Sequence, residues 1–337
     1  MSAHHFDGLR IRCRIGPQAD LFHLGQTLAG LYAQPRARVR LRCAAWITNP
    51  VCAALEIEGL KVAIELSDHA DFWDGPLLDW CDVYAKRSLT DAIAPEHKCK
   101  IVPFGLNWAC HSRRSAFWAV ATMGAAALAA RRKEIYRYLV TPLWKDFEYS
   151  PEEPTDDTIL FQTRVWEPQE APGDEGINEQ RIALLRALRS QFGHRVVGGV
   201  VPTAFARKIC PPELITDQPS RQPQFIRWAK RPLIGIYTRG LFGSAAFKMA
   251  EYLAASKCIA GEKIDGTVGV PPPVLPCSSI DEHLAVCDRL LSSPSLARSQ
   301  RRQSWEYYRA RVAPPAHLAD LLRRCGVNVA TPQEPAV

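Results

Sequence analysis

Eleven cysteines are present, yet no two form a C-x-x-C pair and their number is odd. Scattered from Cys13 to Cys325, they exclude a zinc-ribbon spacing and a disulfide scaffold and read as reduced, mostly buried thiols of a cytosolic protein. The first residues, Met-Ser-Ala-His-His-Phe-Asp-Gly, have no basic region followed by an apolar core, so no signal peptide is expected and the cytoplasm is the expected location. Long hydrophobic runs are missing too. The longest, Ser115 to Ala130, is alanine-rich and shorter than the roughly 20 residues a membrane span needs. Three nucleotide and nucleophile signatures are absent: the Gly-x4-Gly-Lys-Ser/Thr phosphate loop, the Gly-x-Ser-x-Gly elbow and the Gly-x-Gly-x-x-Gly turn. Their absence weighs against ATPase, hydrolase and dinucleotide-binding readings.

What is present is ordinary in bulk and uneven in charge. A chain of 337 residues with 47% apolar and 23% charged content is long enough for two globular domains. The net charge of +7 is concentrated in two arginine-rich ends. One carries Arg10, Arg12, Arg14, Arg36, Arg38, Arg40 and Arg42, and the other Arg298, Arg301, Arg302, Arg309, Arg311, Arg323 and Arg324. Such clusters suit nucleotide phosphates, anionic lipid headgroups or phosphorylated glycans, while a solvated face is the common role of any single arginine.

The pattern of apolar positions divides the chain in two. In residues 1–145, alternation from Leu9 to Ile15 and from Arg38 to Ala44 predicts strands, and helical spacing runs from Ala19 to Ala33. Val51 to Ile57 and Leu60 to Ser67 flank Glu58-Gly59 as a hairpin. Trp80 to Arg87 and Cys99 to Asn107 read as further strands, and Arg113 to Val140 as one long helix. Acidic and proline residues accumulate from Leu143 to Asp157, which places a linker at residues 146–157. Residues 158–312 then give a βα series: strands at Thr158 to Val165, Arg195 to Val200, Leu233 to Tyr237 and Lys257 to Ala260, with helices between them and two closing helices. Short right-handed connections make this a parallel sheet. The expectation is an α/β protein of two Rossmann-like domains facing a central cleft, with a C-terminal helix crossing back to the first and residues 313–337 as the tail and crossing segment.

Chemistry is concentrated between Gly240 and Ala260, a strand end, a small-residue turn, a short helix and a new strand. Gly243, Ser244, Ala245 and Ala246 leave helix-start N–H groups uncovered for an anion. Lys248 adds a cation one turn in, and Glu251 offers a carboxylate to ribose hydroxyls. Ser-x-x-x-Lys-x-x-Glu-Tyr-Leu-Ala resembles the donor-nucleotide segment of GT-B glycosyltransferases, in the retaining group with a Glu-x7-Glu motif. Only the second glutamate is there, as Glu251, because Gly243 stands at the place of the first. The same residues also suit an ordinary amphipathic helix, with Phe247, Ala250, Leu253 and Ala254 inward and Lys248 and Glu251 paired at the surface.

The resemblance implies further positions. Arg164, at the end of the first strand of the second domain in Phe161-Gln-Thr-Arg164, resembles the strand-end arginine of this fold, and Arg181 is a second phosphate-side choice. A surface ion pair with Glu167 is the plain alternative for Arg164. In the first domain Asp68 and His69 follow a strand and are where a base for an inverting transfer belongs; Asp68 could equally cap a helix. Lys86, Arg87, Gly105 and Asn107 end two strands and are acceptor-side candidates. Neither an Asp-x-Asp after a strand, as metal-dependent GT-A enzymes require, nor a ligand cluster is present, so no metal and no cofactor is expected.

The function implied is transfer of a sugar from a nucleotide-sugar donor to a glycan or lipid-linked acceptor, in surface polysaccharide or lipopolysaccharide synthesis. Peripheral contact with the inner face of an anionic membrane goes with it, and nucleic acid is not an expected partner. Two alternatives stay open, a GT-B-like protein that binds nucleotide or glycan without turnover and a nucleotide-sugar 2-epimerase.

Overall fold

The computed structural model describes residues 8–33, 37–89, 98–174, 176–264 and 269–329. These form two compact units. The first holds the described residues up to Asp146, with Gly269, Val270 and those from Arg309 onward; the second holds Phe147 to Ile264 and Pro271 to Tyr308.

The first unit is built from β1 (Arg10–Ile15), α1 (Leu21–Tyr32), β2 (Arg38–Cys43), β3 (Cys52–Ile57), β4 (Leu60–Glu65), α2 (Gly75–Trp80), β5 (Val83–Lys86), β6 (Lys100–Pro103), α3 (Arg113–Ala130) and α4 (Arg132–Leu139). Its six strands run in the order β2-β1-β3-β4-β5-β6. β3 is antiparallel to both β1 and β4, and the other pairings are parallel. The expected hairpin is there, with Glu58 at φ 49° and Gly59 at φ 94°, the positive values a tight two-residue turn demands. Ile11, Cys13 and Ile15 project into one core with α1, α3 and α4. The opposite sheet face carries a smaller cluster of Cys52, Ala54, Ala63 and Tyr84 beneath Leu77 and Leu78 of α2.

Local boundaries differ from the sequence expectation in three places. Trp80 ends α2, because Asp74 caps Leu77 N–H and Pro76 opens the helix, so the strand after it shrinks to β5. The expected helix from Arg113 to Val140 is broken at Gly124 (φ 75°, ψ 165°) and at Arg131, giving α3 and α4. Of the expected linker, residues 147–157 are drawn into the second unit, where Arg301 donates to the carbonyls of Ser150 (3.0 Å) and Glu153 (2.9 Å) and Tyr149 N–H donates to Ala254 (3.0 Å). In its described part the segment 313–337 forms α11 (Pro314–Arg324), whose Leu318, Leu321 and Leu322 join the first core beside α1. Two prolines at its start fit a helix N-terminus, where no N–H partner is lost.

The second unit comprises β7 (Asp156–Thr163), α5 (Ile177–Phe192), β8 (Val196–Val200), α6 (Ala206–Ile209), α7 (Gln222–Ala229), β9 (Pro232–Tyr237), α8 (Phe247–Ala254), β10 (Cys258–Gly261), β11 (Leu275–Pro276), α9 (Ile280–Ser292) and α10 (Pro294–Tyr307). All its strand pairings are parallel, in the order β11-β10-β9-β7-β8. From β7 the chain moves to β8 on one side and then returns to β9 on the other. That reversal, outside the carboxyl ends of β7 and β9, is the topological position at which open α/β sheets take ligands. Among the described residues no helix is long and apolar enough to cross a membrane.

Candidate functional site

Arg181 sits at that reversal. On α5 and almost fully buried, it donates to the carbonyl of Arg164 just beyond β7 (2.7 Å) and to that of Arg239 just beyond β9 (2.8 Å). One guanidinium therefore holds two neighbouring strand ends at a fixed separation. Burial pulls its pKa down to about 10, with Glu262 and Asp174 opposing the shift.

Above this anchor the side chains of Arg164 and Arg239 are each about half exposed, at 48% and 51%. Arg164 lies over the Trp166 ring at 4.3 Å and meets Glu170 at 3.3 Å, not Glu167. The Trp166 backbone is fixed to the start of α5 by two bonds with Asn178, each 2.9 Å. Arg239 approaches Asp174 at 3.8 Å, and its N–H donates to Glu262 (2.8 Å), which also accepts from Gln180 (2.5 Å). The Arg164–Glu170 pair is exposed on both sides and contributes little to stability, and Arg239 stands off from the buried Asp174 at 3.8 Å, so either arginine can turn to a phosphate at small cost.

The turn that follows is shaped by glycine. A Cβ on Gly240 would meet Ser244 Oγ at 2.6 Å, and Gly240 N–H donates to the Ser244 carbonyl at 2.8 Å. Phe242 (φ 57°) and Gly243 (φ 72°) are both left-handed, and Asp174 accepts from Phe242 N–H at 2.8 Å. Gly243 is exposed with open space around it, and Ser244 is buried. α8 then starts at Phe247 with no side-chain cap.

Lys248 and Glu251 are occupied with each other. Lys248 Nζ meets Glu251 at 2.9 Å and lies 3.5 Å from the centre of the Phe225 ring on α7. Glu251 is buried, whereas the plain amphipathic pattern had placed it at the surface. Its neighbour Tyr252 is fully buried, so α8 turns more of its circumference inward than the sequence pattern implied.

In the first unit, the sequence candidates gather at the carboxyl ends of β4, β5 and β6, but as a closed network. Lys86 is completely buried. It pairs with Glu65, donates to the carbonyls of His69 (2.9 Å) and Phe72 (2.5 Å), and lies 4.8 Å from the Trp73 ring. This corrects its reading as an acceptor contact: it ties down the loop after β4. Burial pushes the Glu65 carboxyl up to about 7, against the pull of the Lys86 ammonium. Arg87 is buried as well and meets Asp68 at 2.8 Å, leaving Asp68 one-third exposed. His69 is half exposed, 3.9 Å from Asp71. Gly105 (φ 100°) is buried, and a Cβ there would come within 3.2 Å of His317 on α11. Asn107 is buried too, with neither amide atom hydrogen-bonded.

Sequence reasoning missed Asp174, Arg239, Glu262 and Glu65. The last three had a readable signal, since each is a charge at or just past the end of an apolar strand. Asp174 had none, being a loop residue brought in by tertiary contact. Among the described residues no group of three or more His, Cys, Asp or Glu is gathered as metal ligands.

No protein-family model and no curated protein matches the chain. Among solved structures, the pneumococcal O-GlcNAc transferase GtfA, determined in complex with UDP and GlcNAc, aligns at a TM-score of 0.39 and 11% identity over 76% of this chain. The match spans about half of GtfA, 48% of its length. AviGT4, a glycosyltransferase involved in avilamycin A biosynthesis, aligns at a TM-score of 0.31 and 15% identity, covering 74% of this chain and 75% of that one.

Proposed function

We propose that the chain is a metal-independent glycosyltransferase of GT-B type that takes a nucleotide sugar. The observation that carries this reading is Arg181 at the β7/β9 reversal, with two exposed arginines and a glycine turn around one spot. A nucleoside diphosphate leaving group needs cations and oriented N–H groups where its charge develops. Arg164 and Arg239 supply the cations, and Gly243, in an exposed turn, lets a phosphate approach the backbone closely. Glu251 is the ribose-side carboxylate in this reading, reached when Lys248 turns from it to the phosphates. For an inverting transfer the base in the first unit is Asp68, held in orientation by Arg87; a retaining transfer gives the proton to the departing phosphate. A glycan or lipid-linked hydroxyl is the acceptor.

A second reading, nucleotide binding without turnover, is favoured by one observation: glycine replaces the first motif acid while Lys248 is engaged by Glu251. Titration with UDP, GDP, ADP and CMP without metal, followed by thermal stability, tests both. A selective rise for one nucleotide supports a donor site, and release of free sugar from the matching nucleotide sugar separates enzyme from binder. No rise with any nucleotide overturns both readings.

A further inference from the structure

The strands β1 and β2 have matching alternations, Arg-Ile-Arg-Cys-Arg-Ile and Arg-Val-Arg-Leu-Arg-Cys. Their parallel register sets Arg10 beside Arg38, Arg12 beside Arg40 and Arg14 beside Arg42. Because Ile11, Cys13 and Ile15 are fixed in the core, all six arginines are fixed on the other face of the sheet. Like charges side by side across strands repel. Among the described residues two carboxylates moderate this: Glu56 meets Arg12 (2.7 Å) and Arg14 (3.2 Å), and Glu58 accepts from the backbone N–H of Arg10 (2.8 Å). Among the described residues, no carboxylate meets Arg38, Arg40 or Arg42.

We propose that these arginine rows hold a linear anionic glycan, one carrying carboxylate or sulfate groups along its length. Charge complementarity is the first argument, since guanidinium forks match such groups with paired hydrogen bonds. Shape is the second. Two open spaces of about 500 and 340 Å³ lie over the rows, lined by Arg10, Arg12, Arg38 and Arg40 and by Arg12, Arg14, Arg40 and Arg42. On the β3 to β5 part of the same face α2 stands up over the sheet, so the rows lie at the foot of a step. A helix is about 10 Å thick; a flat bilayer meets α2 first, whereas a narrow chain lies along the strands. Within each row the arginines repeat every ~6.7 Å, two residues of strand.

The lining also selects the class of polymer. Among the described residues it contains no aromatic side chain, so bases would have no stacking platform and single-stranded nucleic acid is disfavoured. Glu56 and Glu58 lie among the arginines, where they accept hydrogen bonds from sugar hydroxyls and repel a polymer made of phosphate alone. The site lies within the first unit and does not depend on the nucleotide-sugar reading.

The test uses the full chain and a fluorescent heparin dodecasaccharide, followed by anisotropy across a salt series. Binding is expected to weaken with a log–log salt slope of about −2 to −3. Replacing Arg38, Arg40 and Arg42 together by Gln should weaken it about tenfold or more without lowering the melting temperature. An Arg298→Gln/Arg302→Gln control should bind as the parent does. Should the triple variant not fold, arginine modification by phenylglyoxal on the unaltered protein gives the same answer: the glycan must protect Arg38, Arg40 and Arg42. Unchanged affinity in the triple variant, or no protection, overturns the proposal. So does tighter binding of a thymidine oligonucleotide, of polyphosphate or of phosphatidylglycerol vesicles than of the glycan.

Discussion

Each unit buries one lysine completely, and the two are accommodated in opposite ways. Lys86 has a carboxylate against its ammonium, Glu65, together with two carbonyls. Lys257 has carbonyls only, those of Pro232 (2.5 Å) and Lys230 (3.3 Å), and feels the positive charge of Arg301. Burial pulls its pKa down to about 7. A buried cation with a counter-charge is held by it and locks its surroundings, and one with dipoles alone gives up its proton near neutrality, as Lys257 does. The carboxyl end of the first sheet is therefore a closed ionic lock. At the carboxyl end of the second, the buried charge is an arginine that cannot readily deprotonate, and the exposed charges above it are the ones able to meet a ligand.

The largest expected effect breaks the lock. Lys86→Met should cost about 3–5 kcal/mol, because Glu65 is left as an uncompensated buried acid. Urea denaturation measures this, and adding Glu65→Leu should restore most of the loss. A single variant as stable as the parent would show that the pair does not hold the loop after β4.

Next comes the lysine without a carboxylate. Its folded pKa, about 7, lies below the roughly 10.4 of an unfolded lysine, so between these values the unfolded chain holds a proton that the folded chain has released. The penalty is complete below pH 7 and is relieved as pH rises toward 10.4, by at most about 1.4 kcal/mol per pH unit. Lys257→Met should remove that slope and raise stability at pH 7 or leave it unchanged. A large loss of stability in this variant would place a counter-charge where the structure has carbonyls.

Arg181→Met should cost about 1–3 kcal/mol, since two buried carbonyls lose their donor. It should also abolish any nucleotide-induced rise in melting temperature by releasing Arg164 and Arg239 from their spacing. Loss of stability with the rise retained would make Arg181 a packing residue alone.

These contrasts also mark what was legible in the sequence. Alternation in β1, β2 and the hairpin, and the βα rhythm of the second unit, were readable because each depends on local period and turn chemistry. The role of Lys86 was not, because Lys-Arg at a strand end looks the same whether it faces solvent or a buried Glu65 twenty-one residues earlier in the chain. Arg301 was equally opaque: nothing local says that a basic residue of α10 will collect the carbonyls of Ser150 and Glu153 and draw a linker-like segment into the second unit. Position at a strand end found Arg164 and missed Arg239 and Glu262, although all three obey the same rule. The motif from Gly243 to Glu251 was located correctly as turn and helix, yet its two charged members meet each other, an i,i+3 pairing that any helix permits.

Lys248→Ala should therefore cost about 1 kcal/mol, because it leaves the buried Glu251 without its cation. Glu251→Gln should cost less. If the glycosyltransferase reading holds, both also weaken nucleotide binding, and an unchanged affinity would confine the pair to seating α8 on Phe225.

The smallest effect on stability should come from the residues placed closest to the ligand. Arg164→Gln removes a half-exposed guanidinium whose partner Glu170 is itself exposed, and Arg239→Gln removes one that stands 3.8 Å from the buried Asp174, which keeps the Phe242 N–H, so each should change stability by about 0.5 kcal/mol or less. The same substitutions should weaken nucleoside diphosphate binding about tenfold, the scale of one lost charged hydrogen bond. Calorimetric titration of the two single variants and the double variant reads this directly. Two arginines held around one diphosphate by a shared anchor should be coupled, so the double variant should lose less than the product of the single losses. Independent losses would mean that the two side chains serve different ligands, and the β7/β9 reversal would then no longer account for a single donor site.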